Sequence, residues 1–255
     1  MTAPKLIEIT TQQLEDYIKC PNLFYIRHVN GILSKTHVTI RSIAEKHKDH
    51  MLYSLMDGKI PDIDKVLLEF NKDCIENKYP ATHRDVQKAS NQLVILFNWL
   101  IANRVQIADI GTPFQLTFPE VNVILKGAFG AIRHNNKRLE LLGIDFAAKD
   151  PDQDLVDMSI RYTVQAYAVH KLIQDYELSC IHIIGVRFNR VQELQSYRSE
   201  IDYARVEKTV QNVARAIRSS IFYPRESYEC TYCPVKAYCS GILDYVTIGE
   251  TKNAD

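Results

Sequence analysis

The chain has 255 residues, 46% of them hydrophobic, and its 31 lysines and arginines balance 31 aspartates and glutamates. That length suffices for one large domain or two small ones, while the neutral balance excludes a general nucleic-acid coat, so any phosphate contact must come from a local basic patch. No run approaches the roughly 18 apolar residues of a membrane span, and "MTAPKLIEITTQQ" lacks the basic-then-apolar build of a signal peptide, so a cytoplasmic location without a membrane partner is expected.

In chain order, residues 10–31 read as a helix capped by Thr10 or Thr11 and stopped at Pro21, followed by an aromatic turn. Residues 38–57 read as helix, with His47 and His50 one turn apart, and "PDIDKVLLEFNKDCI" and "THRDVQKASNQLVILFNWLIANR" as two more. In the last of these Val86, Ala89, Leu93, Leu96 and Leu100 recur at helical spacing, which predicts a core-facing stripe. After Gly111 the pattern changes. "PFQLTFPEVNVILKGAFGAIRH" and "KRLELLGIDFAA" alternate or run apolar about a "HNNK" tip, as a hairpin or meander does. Residues 154–176 return to helix, "CIHIIGVRFNR" to strand and 202–220 to helix. This order predicts an α/β core, about 112–220, with a helical insertion at about 38–108.

The segment "YECTYCPVKAYC" (228–239) holds Cys230, Cys233 and Cys239 at C-x2-C-x5-C. Six cysteines in this length are too few for a disulfide scaffold, and in a reducing compartment clustered cysteines point to metal. A soft-metal site takes four thiolate or imidazole ligands, so the triplet is one short. Cys74 and Cys180 read as buried small side chains, and no histidine lies close in sequence to the triplet. Cys20 stands apart: it ends a helix, precedes a proline and sits among aromatics in "YIKCPNLFYIRH". Four thiolates satisfy either a [4Fe–4S] cube or tetrahedral zinc, and spacing does not separate the two.

"ITTQQLEDYIKCPNLFYIRHVNGI", "FYPRES" and the cysteine triplet together resemble RecB-like nucleases of the PD-(D/E)XK superfamily that carry an iron–sulfur cluster, of the CRISPR-associated exonuclease and AddB nuclease-domain type. The resemblance covers about residues 6–240. It implies a single domain over residues 1–255 with a restriction-endonuclease-like core, a mixed sheet flanked by helices, and a [4Fe–4S] cluster held by Cys20, Cys230, Cys233 and Cys239 as a clasp. Zinc is the other occupant those thiolates would take.

The resemblance also says where a nuclease site belongs. Such sites carry G-x-x-D on one strand, (D/E)-x-K on the next and Q-x-x-x-Y on a helix. The acids hold Mg²⁺ or Mn²⁺ at the scissile phosphate and the lysine orients the attacking water. Here Gly127 is kept, but Gly130 stands at the metal-binding aspartate's position. Asp145 fills the acidic place on the second strand, and the lysine two residues on is Ala147. Tyr167 is kept, yet Thr163 replaces the glutamine and Gln165 is out of phase; the motif histidine would be His47 or His50. Losing one preorganised group typically costs about 100- to 1,000-fold in rate, so a non-catalytic pseudonuclease is expected. The other expectation is an active Mg- or Mn-dependent DNA exonuclease with a migrated site, built from Asp145, Lys149 and Glu120 with Asp150, Asp152 and Asp154 nearby.

For partners, the helix at 202–218 carries an apolar stripe (Val206, Val210, Val213, Ile217) opposite a polar one (Arg205, Lys208, Asn212, Arg215), and "RHNNKR" adds Arg133, Lys137 and Arg138. Both fit a solvated face or phosphate contacts to DNA, single-stranded or at ends. Tyr17, Phe24 and Tyr25 read as packing around the cysteine site rather than as base-stacking platforms. The expected role is a DNA-binding or scaffolding subunit working with a protein partner in replication, recombination or mobile-element processing. A protein-interaction module without DNA binding is the third class.

Overall fold

The computed structural model describes residues 5–32, 38–135, 138–146, 152–173, 177–187 and 189–240. In chain order these form β1 (Ile7–Thr10), α1 (Thr11–Lys19), α2 (Pro21–Phe24), α3 (Ile40–Met56), α4 (Ile63–Glu76), α5 (Arg84–Ala102), β2 (Gln106–Ile110), β3 (Pro113–Phe118), β4 (Val123–Ala128), β5 (Ala131–Asn135) and β6 (Arg138–Asp145). They continue with α6 (Gln153–Asp157), α7 (Ile160–Leu172), β7 (Glu177–Val186), β8 (Val191–Ser196), α8 (Glu200–Arg218) and α9 (Lys236–Cys239). The fold is α/β, with sheets flanked by helices. Among the described residues the strands form a three-stranded sheet ordered β1-β4-β3 and a five-stranded sheet ordered β2-β5-β6-β7-β8.

The chain divides into two compact units: residues 1–36, 115–127 and 202–255 make the first, and 37–114 with 128–201 the second. In the first unit β1 runs parallel to β4, Ile9 beside Leu125. Thr10 caps α1 through a reciprocal capping box with Gln13, which satisfies two otherwise orphaned backbone donors. The chain leaves the helix at Cys20, whose backbone is extended, and Pro21 restarts it as the first residue of α2. Proline has no N–H to lose there, so the expected stop is a break between two helices. Two side chains tie the unit's segments: the Tyr17 hydroxyl donates to the Ile221 carbonyl at 2.7 Å, and the Arg218 guanidinium donates to the carbonyls of Lys5 and Asn122.

In the second unit the five-stranded sheet is mixed: β6 and β7 are parallel and the remaining pairs antiparallel. The parallel pair needs a crossover, and α6 and α7 lie in that connection. Side-chain alternation divides the sheet's faces. Leu142 and Ile184 join a core with Met51, Phe70, Leu93 and Leu96 from α3, α4 and α5. Gly143 faces the other way, toward Ile183 and Tyr162 of α7. The predicted α5 stripe is buried, with Leu93 and Leu96 both fully inside; side chains so buried stabilise by about 1.5–3 kcal/mol each.

Three strands, β1, β2 and β8, go beyond the sequence reading, and the helix expected over 154–176 is two helices. Ser159 breaks it, accepting from the Tyr162 N–H to cap α7.

Candidate metal centre

Cys20, Cys230, Cys233 and Cys239 are brought together in the first unit around a cavity of about 750 Å³. Each segment reaches the other's sulfur. The Arg225 N–H donates to Cys20 Sγ at 3.3 Å, and the Asn22 side-chain amide donates to Cys239 Sγ at 3.2 Å. The Ser227 N–H lies 3.5 Å from Cys230 Sγ. N–H donors aimed at sulfur are what a thiolate ligand needs, because they spread its charge. Lys19, Arg27, Arg225 and Lys236 line the same cavity together with Asp16, Glu226 and Glu229, and Lys19 is paired to Glu229 at 3.4 Å. Burial raises the Cys233 thiol above its ordinary range, and the neighbouring Cys20, Cys230 and Cys239 push the same way. Sulfurs that repel one another as thiolates are suited to a shared cation or cluster.

The surroundings hold the site by packing. Leu23, Ile26, Ile32 and Val235 form a small buried core against which Cys20 and Cys233 rest. Tyr17 and Phe24 are buried edge to face at 5.5 Å, and Tyr25 stacks on Phe222 at 5.0 Å. Asp16, also buried, carries the Arg27 guanidinium at 2.8 Å and His28 Nε2 at 2.7 Å. Sequence reading passed over this triad, although an acid four residues before Cys20 and two bases soon after were visible signals. Cys74 and Cys180 are buried elsewhere, and burial pushes each thiol up to about 11.

Where the sequence resemblance would put a nuclease site, the second unit places Gly130 and Asp145 at one end of the sheet: Ala131 faces Leu142, so Gly130 stands at the level of Gly143, two residues short of Asp145. The Gln165 side-chain oxygen accepts the Gly130 N–H at 3.0 Å, and a Cβ at Gly130 would meet that oxygen at 3.3 Å. The out-of-phase glutamine thus stands where an aspartate side chain would start. Asp145 is bonded to Arg41 at 3.0 Å and to the buried Arg187 at 3.5 Å. Arg187 also donates to the Asp145 carbonyl. Thr163 accepts from Arg198, and Tyr167 is buried beneath the Lys171 ammonium. Ala147, Lys149 and Asp150 lie outside the described residues. Asp152 caps α6, Asp154 sits in its first turn, and Glu120 lies on an exposed turn of the first unit.

Of the basic candidates, Arg205, Lys208 and Arg215 line one exposed stripe of α8, and Val206, Val210 and Val213 are buried opposite, as their spacing predicts. Arg138 is exposed and paired to Glu177 at 3.2 Å. Arg133 turns inward instead, against Glu140 and His182 and over the Trp99 ring, so it is withdrawn from the basic surface. Lys137 lies outside the described residues.

Comparison with protein-family models finds no match, and comparison with curated proteins finds none. Among solved structures the chain is similar to one described as "Crystal structure of SSO0001", with a TM-score of 0.39 and 16% identity over 80% of this chain and 95% of that one.

Proposed function

We propose that this chain is a RecB-like protein with a restriction-endonuclease-like core, stapled by a [4Fe–4S] cluster on Cys20, Cys230, Cys233 and Cys239, that binds DNA without cutting it and serves as a scaffold in a DNA-processing complex. The observation that carries the non-catalytic reading is the state of Asp145. A carboxylate already neutralised by two guanidiniums is a poor ligand for Mg²⁺ or Mn²⁺, which needs free anionic oxygens. The second acid is absent at Gly130, where Gln165 fills the space. A cluster on the four cysteines contributes folding free energy, joining segments far apart in sequence. The stripe of Arg205, Lys208 and Arg215 supplies charge for phosphates.

The test incubates cluster-loaded protein anaerobically with Mn²⁺ and labelled single-stranded DNA. Salt-dependent binding without cleavage is expected. The pair Arg205→Glu and Lys208→Glu should weaken binding and lower the slope against log salt by about 1 per lost phosphate contact. Cleavage abolished by Asp145→Ala would sink the non-catalytic reading; absence of binding at low salt would leave only protein interaction.

A further inference from the structure

A second cluster of ligating side chains lies in the second unit, between α3 and α4. One ring nitrogen each of His47 and His50 and a carboxylate oxygen of Glu69 lie within 4.8 Å of one another. His47 is 1% exposed and packed edge-on against Phe70, whereas His50 opens to solvent. His47 Nε2 is bonded to Asp73 Oδ2 at 2.8 Å, and the same oxygen accepts from the Lys46 ammonium. A carboxylate that accepts from Nε2 places the ring's proton there and leaves Nδ1 with a free lone pair. That Nδ1 is buried and has no hydrogen-bond partner. A buried polar atom without a partner is rare enough to require an explanation.

We propose that His47, through Nδ1, together with His50 and Glu69 binds a divalent transition-metal ion of the zinc class, with Asp73 as the positioning carboxylate behind His47. Two imidazoles and one carboxylate form a ligand set that zinc takes while keeping one position for water, and solvent reaches this set on the His50 side. The Asp73–His47 pair is the second-layer arrangement that fixes tautomer and ring orientation at such ions. The site is separate from the nuclease position, because the α3 residue that bonds Asp145 is Arg41, well before His47 along the helix. These residues belong to the second unit and the cysteines to the first. Its effect is to clip α3 to α4.

The test is Zn²⁺ titration of the full chain, with its cysteine site already filled, against a chromophoric chelator. Wild type should take up one equivalent more than His50→Ala or Glu69→Gln, and Asp73→Asn should bind that equivalent about 10- to 100-fold more weakly. Zn²⁺ should raise the melting temperature of wild type and not of the two ligand variants. Both replaced ligands are at least partly exposed, and melting in excess chelator, unchanged from wild type, shows that the variants fold. Equal zinc uptake by wild type and variants would overturn the proposal, as would no uptake beyond the cysteine site. Zinc held by the cysteines themselves stays constant across all four proteins, so an error about the clasp cannot imitate this site.

Discussion

Arg133 shows how far a residue's role depends on its neighbours in space. In the sequence it belongs to a basic run at a hairpin tip. In the fold it sits on β5 with its guanidinium on the buried Glu140 carboxylate, 2.7 Å from His182 Nδ1 and over the Trp99 ring. His182 Nε2 and the Trp99 indole both reach Glu193, at 2.9 Å each. Burial by itself raises the Glu140 pKa, but the Asn135 amide and Arg133 outweigh it and hold the carboxyl below its usual range. Arg133→Ala takes the guanidinium from a buried carboxylate and leaves it the Asn135 amide and His182 alone, and should cost about 3 kcal/mol, read by urea unfolding at neutral pH. A carboxyl whose folded pKa is depressed stabilises the fold above its unfolded pKa, about 4.3 for glutamate. That stability is lost as pH falls through the folded value. Wild type should therefore lose stability on acidification below about pH 4, and Arg133→Ala should lose less. Equal acid sensitivity in the two proteins would refute the ion-pair account.

Elements with a cap or a clear apolar pattern were legible, and those with neither were not. α1 has its Thr10 box, α3 has Thr39 with Ser42, and α5 and α8 carry long apolar stripes, so their existence followed from local rules. β2 and β8 escaped because they form the two edges of the five-stranded sheet, where "QIADI" and "VQELQS" bury few side chains. An edge strand is specified by its partner rather than by its own composition. Gly143 on β6 is another requirement that only packing reveals. A Cβ there would lie 2.5 Å from both the Ile183 Cδ1 and the Tyr162 hydroxyl, so any larger residue forces one of these side chains to shift. Gly143→Ala should destabilise by about 1–3 kcal/mol, measured as a lower urea midpoint with unchanged slope. A neutral result would mean that the Tyr162 ring moves aside without cost.

At the scale of the whole molecule, the chain folds as two units whose segments interleave in sequence, and the cysteine site gathers residues of two segments of the first, 1–36 and 202–255. On the proposed clasp, Cys20→Ser should abolish iron and sulfide binding and lower the melting temperature of the anaerobically purified protein; metal analysis beside circular dichroism reads both. One equivalent of zinc and no iron in wild type would replace the cluster with a zinc knot. What the sequence determined by itself was chemical capacity: three cysteines at fixed spacing with a fourth before Pro21, and the stripes of α5 and α8. These are local facts, set by side-chain type and by the period of the backbone. What only the tertiary structure decided was commitment. It gave Asp145 to Arg41 and Arg187, turned Arg133 inward to Glu140, and set Asp73 behind His47. The strength and use of a charge depend on its partner and on the water left around it, and the fold draws such partners from far along the chain, Arg41 and Asp145 being 104 residues apart.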